Sequence, residues 1–274
     1  MEFLIANGKI AGIDEINLNK ILTEPSFRLS QKVWHGYGGI PFFTENLKLI
    51  QKQTEILRLP FPKEFENPRE LFRLTKRILN KNKFYRSGYV HIQLFWKNTQ
   101  VQTLISASAF ESFQFPFSET GLVVTFSSLE KDSKNPLCRL PFFNEPLWQA
   151  GLAEITQNPF QQVLFLNEKK QVCEGAGANL FIVKENQLIT PAFTTGCYED
   201  VLRSYMLKIA QNAGLNVIET DTLNKSAVFE ADEIFLASES AGIQWVLGLE
   251  NKRFLHPVAK KIHDLLIAEL NPNS

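Results

Sequence analysis

The chain has 274 residues, 44% hydrophobic and 21% charged, which is enough for one large or two medium cores in an ordinary globular composition. Its 29 acidic and 29 basic residues balance, so no bulk field attracts nucleic acid or an anionic membrane, and neither partner is expected. No apolar run approaches the roughly 18 residues of a membrane span, and the N-terminal segment lacks the basic and apolar regions of an export signal.

In the first half of the chain, the predicted elements begin with a hairpin. Asn7-Gly8 is a strong two-residue turn signal between short strand-like runs, and Gly38-Gly39 marks a second turn. From Glu45 to Leu57, mostly apolar residues recur at the spacing of one helical face, and two prolines then end the pattern. A second helix is predicted over residues 68–79, and strands over residues 89–96 and after Gln100.

The second half is predicted to follow a Phe/Pro/Ser linker near residues 112–119, in which Phe113, Phe115 and Phe117 alternate. Asp200 is suited to capping a helix, and Gly214 stands where a left-handed residue would end it. Strands are predicted over 121–127, 162–166, 180–183, 187–189, 217–219 and 233–237, and further helices over 147–156 and 257–270. This order indicates an α/β (α+β) protein with two unequal domains, residues 1–114 and residues 115–274.

The cysteine and histidine residues show no pattern of a disulfide framework or a metal site. Cys138, Cys173 and Cys197 are odd in number and far apart, and none belongs to a CxxC pair. A reducing cytoplasm fits this pattern, so a cytoplasmic protein is expected. The four histidines share no metal-ligand spacing, and no metal is predicted.

The most specific pattern runs from Cys173 to Arg203. It contains Glu174, an Asn-Leu-Phe tripeptide five residues later, a hairpin into Thr-Pro and a Gly-led turn into a helix. This stretch resembles the signature of class IV pyridoxal-phosphate (PLP) enzymes, which include branched-chain and D-amino-acid aminotransferases and aminodeoxychorismate lyase. Matches in family order elsewhere extend the resemblance over nearly the whole chain. It implies the two-domain fold-type IV (D-amino-acid aminotransferase-like) architecture with a cleft between the halves, and a homodimer.

The resemblance conflicts with the chain at the lysine that family members need. A PLP enzyme uses a lysine amine to hold the cofactor as a Schiff base and to move protons afterwards. Counting back 33 residues from Glu174 to the family position leads to Pro141, which has no amine. A shift of the alignment by one or two residues reaches Arg139, whose guanidinium stays protonated and so cannot form an imine. Lys131 and Lys134 lie further upstream and would replace the lysine only if the local chain left the family path.

The positions that the resemblance assigns to other cofactor contacts have also changed. The family's phosphate-binding arginine aligns with Leu49, and its phosphate-binding turn aligns with a run that begins with two acids, Glu199 and Asp200. Carboxylates at a helix N-terminus satisfy its positive end themselves and repel phosphate. We therefore interpret these positions as cofactor contacts that have lost their chemistry: Leu49, Glu145, Asp200, Leu202 and Glu239.

Some side chains of the family site remain. By resemblance, Glu174 is the residue that faces the cofactor's ring nitrogen, although without a cofactor it is interpreted as a carboxylate bonded to the turn amides of residues 175–178. Arg203 is expected to pair with Glu199 or Glu239, and with Glu145 these acids are predicted to cluster. The remaining cleft candidates are His35, Tyr37, Arg139 and Arg203.

Three functions are compatible with these residues. The first is a degenerate family member, a pseudoenzyme with a binding or scaffold role, for which no cofactor is predicted and the small-molecule ligand is unknown. The second is a working PLP-dependent aminodeoxychorismate lyase or aminotransferase that uses an atypical lysine. The third is a PLP-independent enzyme that uses the clustered acids and His35.

Overall fold

The computed structural model describes residues 1–17, 27–109 and 114–271. These residues divide into two compact units, Met1–Phe115 (unit 1) and Pro116–Ser274 (unit 2). The part of the predicted linker at residues 112–113, including Phe113, lies outside the described residues. Among the described helices, none has both the length and the apolar character needed to cross a bilayer.

Unit 1 is an antiparallel five-stranded sheet with two helices. Its strands are β1 (Phe3–Ala6), β2 (Lys9–Gly12), β3 (Phe27–His35), β4 (Gly88–Lys97) and β5 (Gln100–Ala109), in the order β2-β1-β5-β4-β3. Its helices are α1 (Phe43–Ile56) and α2 (Pro68–Lys81). Buried side chains from the sheet and both helices, among them Val33, Ile50 and Ile78, form one core.

Local signals explain several of these elements. The predicted hairpin at Asn7-Gly8 is confirmed, and both residues have the positive φ angles, 47° and 75°, that a two-residue turn between twisted strands requires. The second turn is centred on Tyr37 and Gly38, one residue earlier than predicted. Helix α2 starts at a proline behind Asn67, whose side chain accepts the backbone N–H of Glu70.

Unit 2 contains a larger mixed sheet and four described helices. The helices are α3 (Pro141–Ala153), α4 (Val201–Asn212), α5 (Lys225–Phe229) and α6 (Pro257–Leu270). The strands are β6 (Leu122–Lys131), β7 (Gln162–Asn167), β8 (Val172–Gly175), β9 (Ala178–Lys184), β10 (Gln187–Pro191), β11 (Asn216–Thr220), β12 (Glu233–Ser238), β13 (Gly242–Leu249) and β14 (Lys252–Arg253).

Six strands of unit 2 close on themselves. The sheet order is β11-β10-β9-β12-β13-β6-β7-β8, and β8 also pairs with β9, so the strands from β9 to β8 form a ring. Strand β6 runs parallel to β7 with regular pairing up to Phe126, and pairing resumes at Glu130 after an irregularity. Buried residues of the ring strands, such as Val124, Leu164 and Ile234, share one apolar core.

Most predicted elements of unit 2 are confirmed, but the predicted bounds of helix α3 and the predicted end of strand β6 were wrong. Helix α6 spans the predicted 257–270, and Asp200 caps α4 by accepting the N–H of Leu202. Helix α3 begins at Pro141, six residues before the predicted start, because the proline ring suits the first helical turn. Strand β6 continues past the predicted residue 127 to Lys131, because its polar second half still pairs with β7.

We predict that Gly242→Ala destabilises unit 2 more than Gly214→Ala does. Both glycines have positive φ angles, 73° and 87°, so alanine at either position costs about 1–2 kcal/mol of backbone strain. A Cβ on Gly242 would also lie 2.1 Å from the carbonyl oxygen of Pro116, whereas Gly214 has no heavy atom within 4 Å of that position. Urea unfolding of both variants measures the difference, and equal losses of stability would contradict the steric argument.

Candidate functional site

Lys131 and Glu174 form a buried ion pair in unit 2. The Nζ atom of Lys131 lies 2.7 Å from Oε1 of Glu174, and the two side chains are 1% and 0% exposed. A buried ammonium and a buried carboxylate each lose several kcal/mol of hydration, so each requires the other as a partner. The sequence alone leaves open whether Lys131 reaches Glu174, and the structure places its amine beside that carboxylate.

The irregular pairing of β6 explains why Lys131 points inward. Between Phe126 and Glu130, strand β6 advances four residues while β7 advances two, which is a bulge. Bulges change the direction in which the following side chains point. The ammonium also donates to the carbonyl oxygen of Cys138 at 3.2 Å, and Asn144 on α3 donates to the same oxygen at 2.6 Å. The loop between β6 and α3 is thereby tied to the lysine.

Both carboxylate oxygens of Glu174 are engaged. Oε1 accepts a hydrogen bond from Nε1 of Trp148 at 2.7 Å in addition to the ion pair, and Oε2 accepts the backbone N–H of Tyr198 at 2.6 Å. The expected bonds to the turn amides of residues 175–178 were therefore the wrong partners. The reason is that β8 directs this side chain towards α3 and the segment before α4. The Trp148 and Tyr198 rings meet edge to face with centroids 4.9 Å apart.

Asp200 holds two amides from different segments. Its Oδ1 accepts the N–H of Leu202 at 2.8 Å and the N–H of Glu239 at 3.1 Å, although these residues are 37 positions apart in the chain. Its Oδ2 lies 3.4 Å from the donating hydroxyl of Tyr198. Burial raises the pKa of Asp200 to about 6, and the hydrogen bonds oppose that rise. The structure thus brings together three of the positions predicted to have lost cofactor contacts.

The two arginines of the predicted cleft pair with different acids. Arg139 lies 3.1 Å from Glu199, and its guanidinium stacks over the Phe193 ring at 4.0 Å. Arg203, which is buried, pairs with Glu219 at 2.6 Å and donates to Thr190 Oγ1 and the Pro191 carbonyl. The prediction that Arg203 pairs with Glu199 or Glu239 missed Glu219, because β11 brings that acid alongside α4 only in the folded chain.

The other predicted site residues are more scattered. Pro141 is the first residue of α3, and Glu145 is exposed one turn further along the same helix. Lys134 is also exposed. Leu49 is a buried residue of α1 in unit 1. The predicted cluster of acids stays a prediction, with Asp200 contacting the backbone of Glu239 and Glu199 paired with Arg139.

His35 and Tyr37 both belong to unit 1. The Nε2 atom of His35 lies 3.2 Å from the Ser108 carbonyl oxygen, and burial, together with the charge of Lys76, lowers the His35 pKa. A cavity of about 90 Å³ beside it is lined by Lys76 and Arg86 as well. Tyr37 adopts a φ of 51° at its turn. A catalytic role for His35 with the acids of unit 2 stays a prediction.

All three cysteines are buried reduced thiols in unit 2. Cys173 donates weakly to the Thr195 carbonyl, and Cys197 to the Pro191 carbonyl. Burial raises the pKa of all three, that of Cys197 to about 11. The described residues contain no group of three or more His, Cys, Asp or Glu side chains arranged to hold a metal ion.

Two comparisons of sequence point to one family. Residues 33–248 match the family model described as amino-transferase class IV. The Thermotoga maritima protein named "Probable branched-chain-amino-acid aminotransferase" is 26% identical over 274 aligned positions, which cover 97% of this chain and 93% of that protein.

Solved structures show the same fold. The branched-chain amino acid aminotransferase from Thermobaculum terrenum in its PLP form superposes with a TM-score of 0.85 at 19% identity, over 98% of this chain and 94% of that chain. A Legionella pneumophila structure that bears the name 4-amino-4-deoxychorismate lyase gives 0.70 at 21% identity, over 87% and 90%. The predicted two-domain fold-type IV architecture is confirmed.

The groups that the resemblance assigns to PLP contacts already have partners within the chain. The carboxylate of Glu174 is already bonded to Lys131, Trp148 and Tyr198, so a protonated ring nitrogen would have to displace one of them. The amides of Leu202 and Glu239, at the positions assigned to phosphate, already bind an anion in Asp200. The Glu174 carboxylate and the amides of Leu202 and Glu239 thus have their hydrogen-bond partners within the chain.

We predict that Lys131→Met costs about 3–5 kcal/mol of unfolding free energy, because it leaves Glu174 buried without a counter-ion. The double variant Lys131→Met/Glu174→Gln should recover part of this loss. Lys208→Met is the matched control, since Lys208 has the same 2.7 Å distance to Glu269 on the surface and should cost no more than about 1 kcal/mol. Urea unfolding of the natural protein, both single variants (Lys131→Met and Glu174→Gln), the double variant and the control measures the coupling, and additive losses from the two single variants would show that the pair is not coupled.

We predict that Asp200 makes unit 2 less stable as the pH rises from about 4 to about 7. Its folded pKa of about 6 exceeds the ordinary 3.8, so the folded chain binds a proton that the unfolded chain has lost between those values. Its contribution is full below the lower value and is lost through the higher one. The stability of the natural protein minus that of Asp200→Asn should fall by up to about 3 kcal/mol over this interval. Urea titrations at several pH values test this, and a rising or constant difference would contradict it.

Proposed function

This chain belongs to the class IV aminotransferase family, and from that premise we propose that it is a degenerate member, a pseudoenzyme that does not use PLP as a Schiff base and has a binding or scaffold role. The observation that carries the proposal is the Lys131–Glu174 ion pair. The Nζ atom of Lys131 lies 2.7 Å from Glu174 Oε1 and donates to the Cys138 carbonyl oxygen at 3.2 Å, so an imine at this atom requires both contacts to break.

The neighbouring residues support the same proposal. Pro141, at the position predicted to match the family lysine, offers no amine and starts helix α3. Leu49, at the position predicted to match the phosphate-binding arginine, is a buried apolar side chain. Each of these substitutions removes a contact, and Asp200 adds a charge of the same sign as phosphate. The signature around Glu174 then serves to support the fold.

One observation favours a second candidate, a working PLP-dependent lyase or aminotransferase like the relatives. Lys131 is a lysine whose amine lies within the site, beside the carboxylate that the resemblance assigns to the ring nitrogen. If a ligand displaced Nζ from Glu174, the amine would be free to attack a carbonyl group. The two candidates differ in whether Lys131 Nζ forms an imine with PLP, and that can be measured.

The proposal predicts that the purified protein, incubated with PLP and reduced with borohydride, carries no adduct on Lys131 above the labelling of its exposed lysines. Peptide mass mapping reads out each lysine, and the Thermobaculum terrenum relative treated in the same way serves as the positive control. A PLP adduct on Lys131 that disappears in Lys131→Arg and persists in Lys134→Arg would establish the second candidate and overturn the first. Labelling spread over exposed lysines, and equal in both variants, is the background expected under the first.

A further inference from the structure

Tyr198 connects the two charged sites of unit 2 into one network. Its backbone N–H donates to Glu174 Oε2 at 2.6 Å, and its hydroxyl donates to the Gly177 carbonyl at 2.9 Å and lies 3.4 Å from Asp200 Oδ2. The residue is buried. A continuous chain of contacts therefore runs from Lys131 through Glu174 and Tyr198 to Asp200.

At one end of this network the chain supplies a cation. The ammonium of Lys131 compensates Glu174 and donates to the Cys138 carbonyl, so it has two partners and nearly no exposed surface. A cation of this kind has the sign of a protonated ring nitrogen. It comes from β6, whose bulge directs it inward, and not from the position matched to the family lysine.

At the other end the chain supplies an anion. The Asp200 carboxylate binds the Leu202 amide at the start of α4 and the Glu239 amide that follows β12. A helix cap needs only the first of these bonds. The second brings a separate segment onto the same oxygen, as a bound anion would.

We propose that Lys131 and Asp200 act as internal counter-ions that replace the cationic and anionic ends of the family's cofactor, so that the interior is electrically complete without a ligand. The proposal rests on the proposed function, since it explains how a chain that no longer uses PLP keeps the residues that the resemblance assigns to cofactor contacts. It implies that only the Asp200 side chain keeps an external anion away from the amides of Leu202 and Glu239, and that removing this side chain lets an anion bind there.

The test uses inorganic phosphate as the probe and the full chain as the protein. In Asp200→Gly, phosphate should raise the melting temperature and shift the ¹H–¹⁵N signals of Leu202 and Glu239, while the natural protein shows neither effect. Asn224→Gly is the matched control, because Asn224 caps α5 through the Ala227 amide in the same unit. That variant loses a helix cap and should gain no response to phosphate. Asp200→Ser keeps a helix cap and frees the Glu239 amide, so it should respond to phosphate as well. It provides the test if Asp200→Gly does not fold.

Other outcomes separate the two proposals. No phosphate response in folded Asp200→Gly and Asp200→Ser, or an equal response of the same two amides in the natural protein, would overturn the counter-ion proposal and leave the proposed function intact. A PLP adduct on Lys131 of the natural protein would overturn the proposed function.

Discussion

A lysine ammonium and a glutamate carboxylate held in contact away from water are the constraint around which unit 2 is organised. Because either charge alone would be strongly destabilising in the interior, the elements that carry them cannot separate without breaking the pair. Strand β6 carries the lysine and β8 the glutamate. Trp148 on α3 and the Tyr198 amide donate hydrogen bonds to the carboxylate. The helix, the closed ring of strands and the segment before α4 therefore share one electrostatic centre.

The charges of this centre come from the chain itself. In a protein that binds a zwitterionic cofactor, we would expect some carboxylate oxygens and backbone amides of the binding site to lack hydrogen-bond partners within the chain. Here the Glu174 oxygens and the amides of Leu202 and Glu239 already have protein partners. Within the signature, Glu174 and the Tyr198 amide position the ion pair. Family membership and retained chemistry are separate questions.

Sequence patterns predicted what local interactions decide. Helix α6 and the Asp200 cap were predictable because periodicity, a proline and a capping side chain lie within a few residues. The inward position of Lys131 was not, because it depends on a bulge in β6 whose second half is too polar to read as a buried strand. The partner of Arg203 was equally hidden, since Glu219 approaches through the parallel pairing of β10 with β11. Non-local register, which no short pattern encodes, decided the site.

The placement of the thiols gives the molecule an internal reporter of opening. Every cysteine of the chain lies in unit 2, each is buried, and burial raises the pKa of each. The thiolate is the reactive form, so a folded unit 2 is doubly protected from alkylating reagents. Alkylation at neutral pH therefore proceeds through open forms of unit 2. The rate of thiol loss in the natural protein thus reports the opening of unit 2 without a label or a mutation.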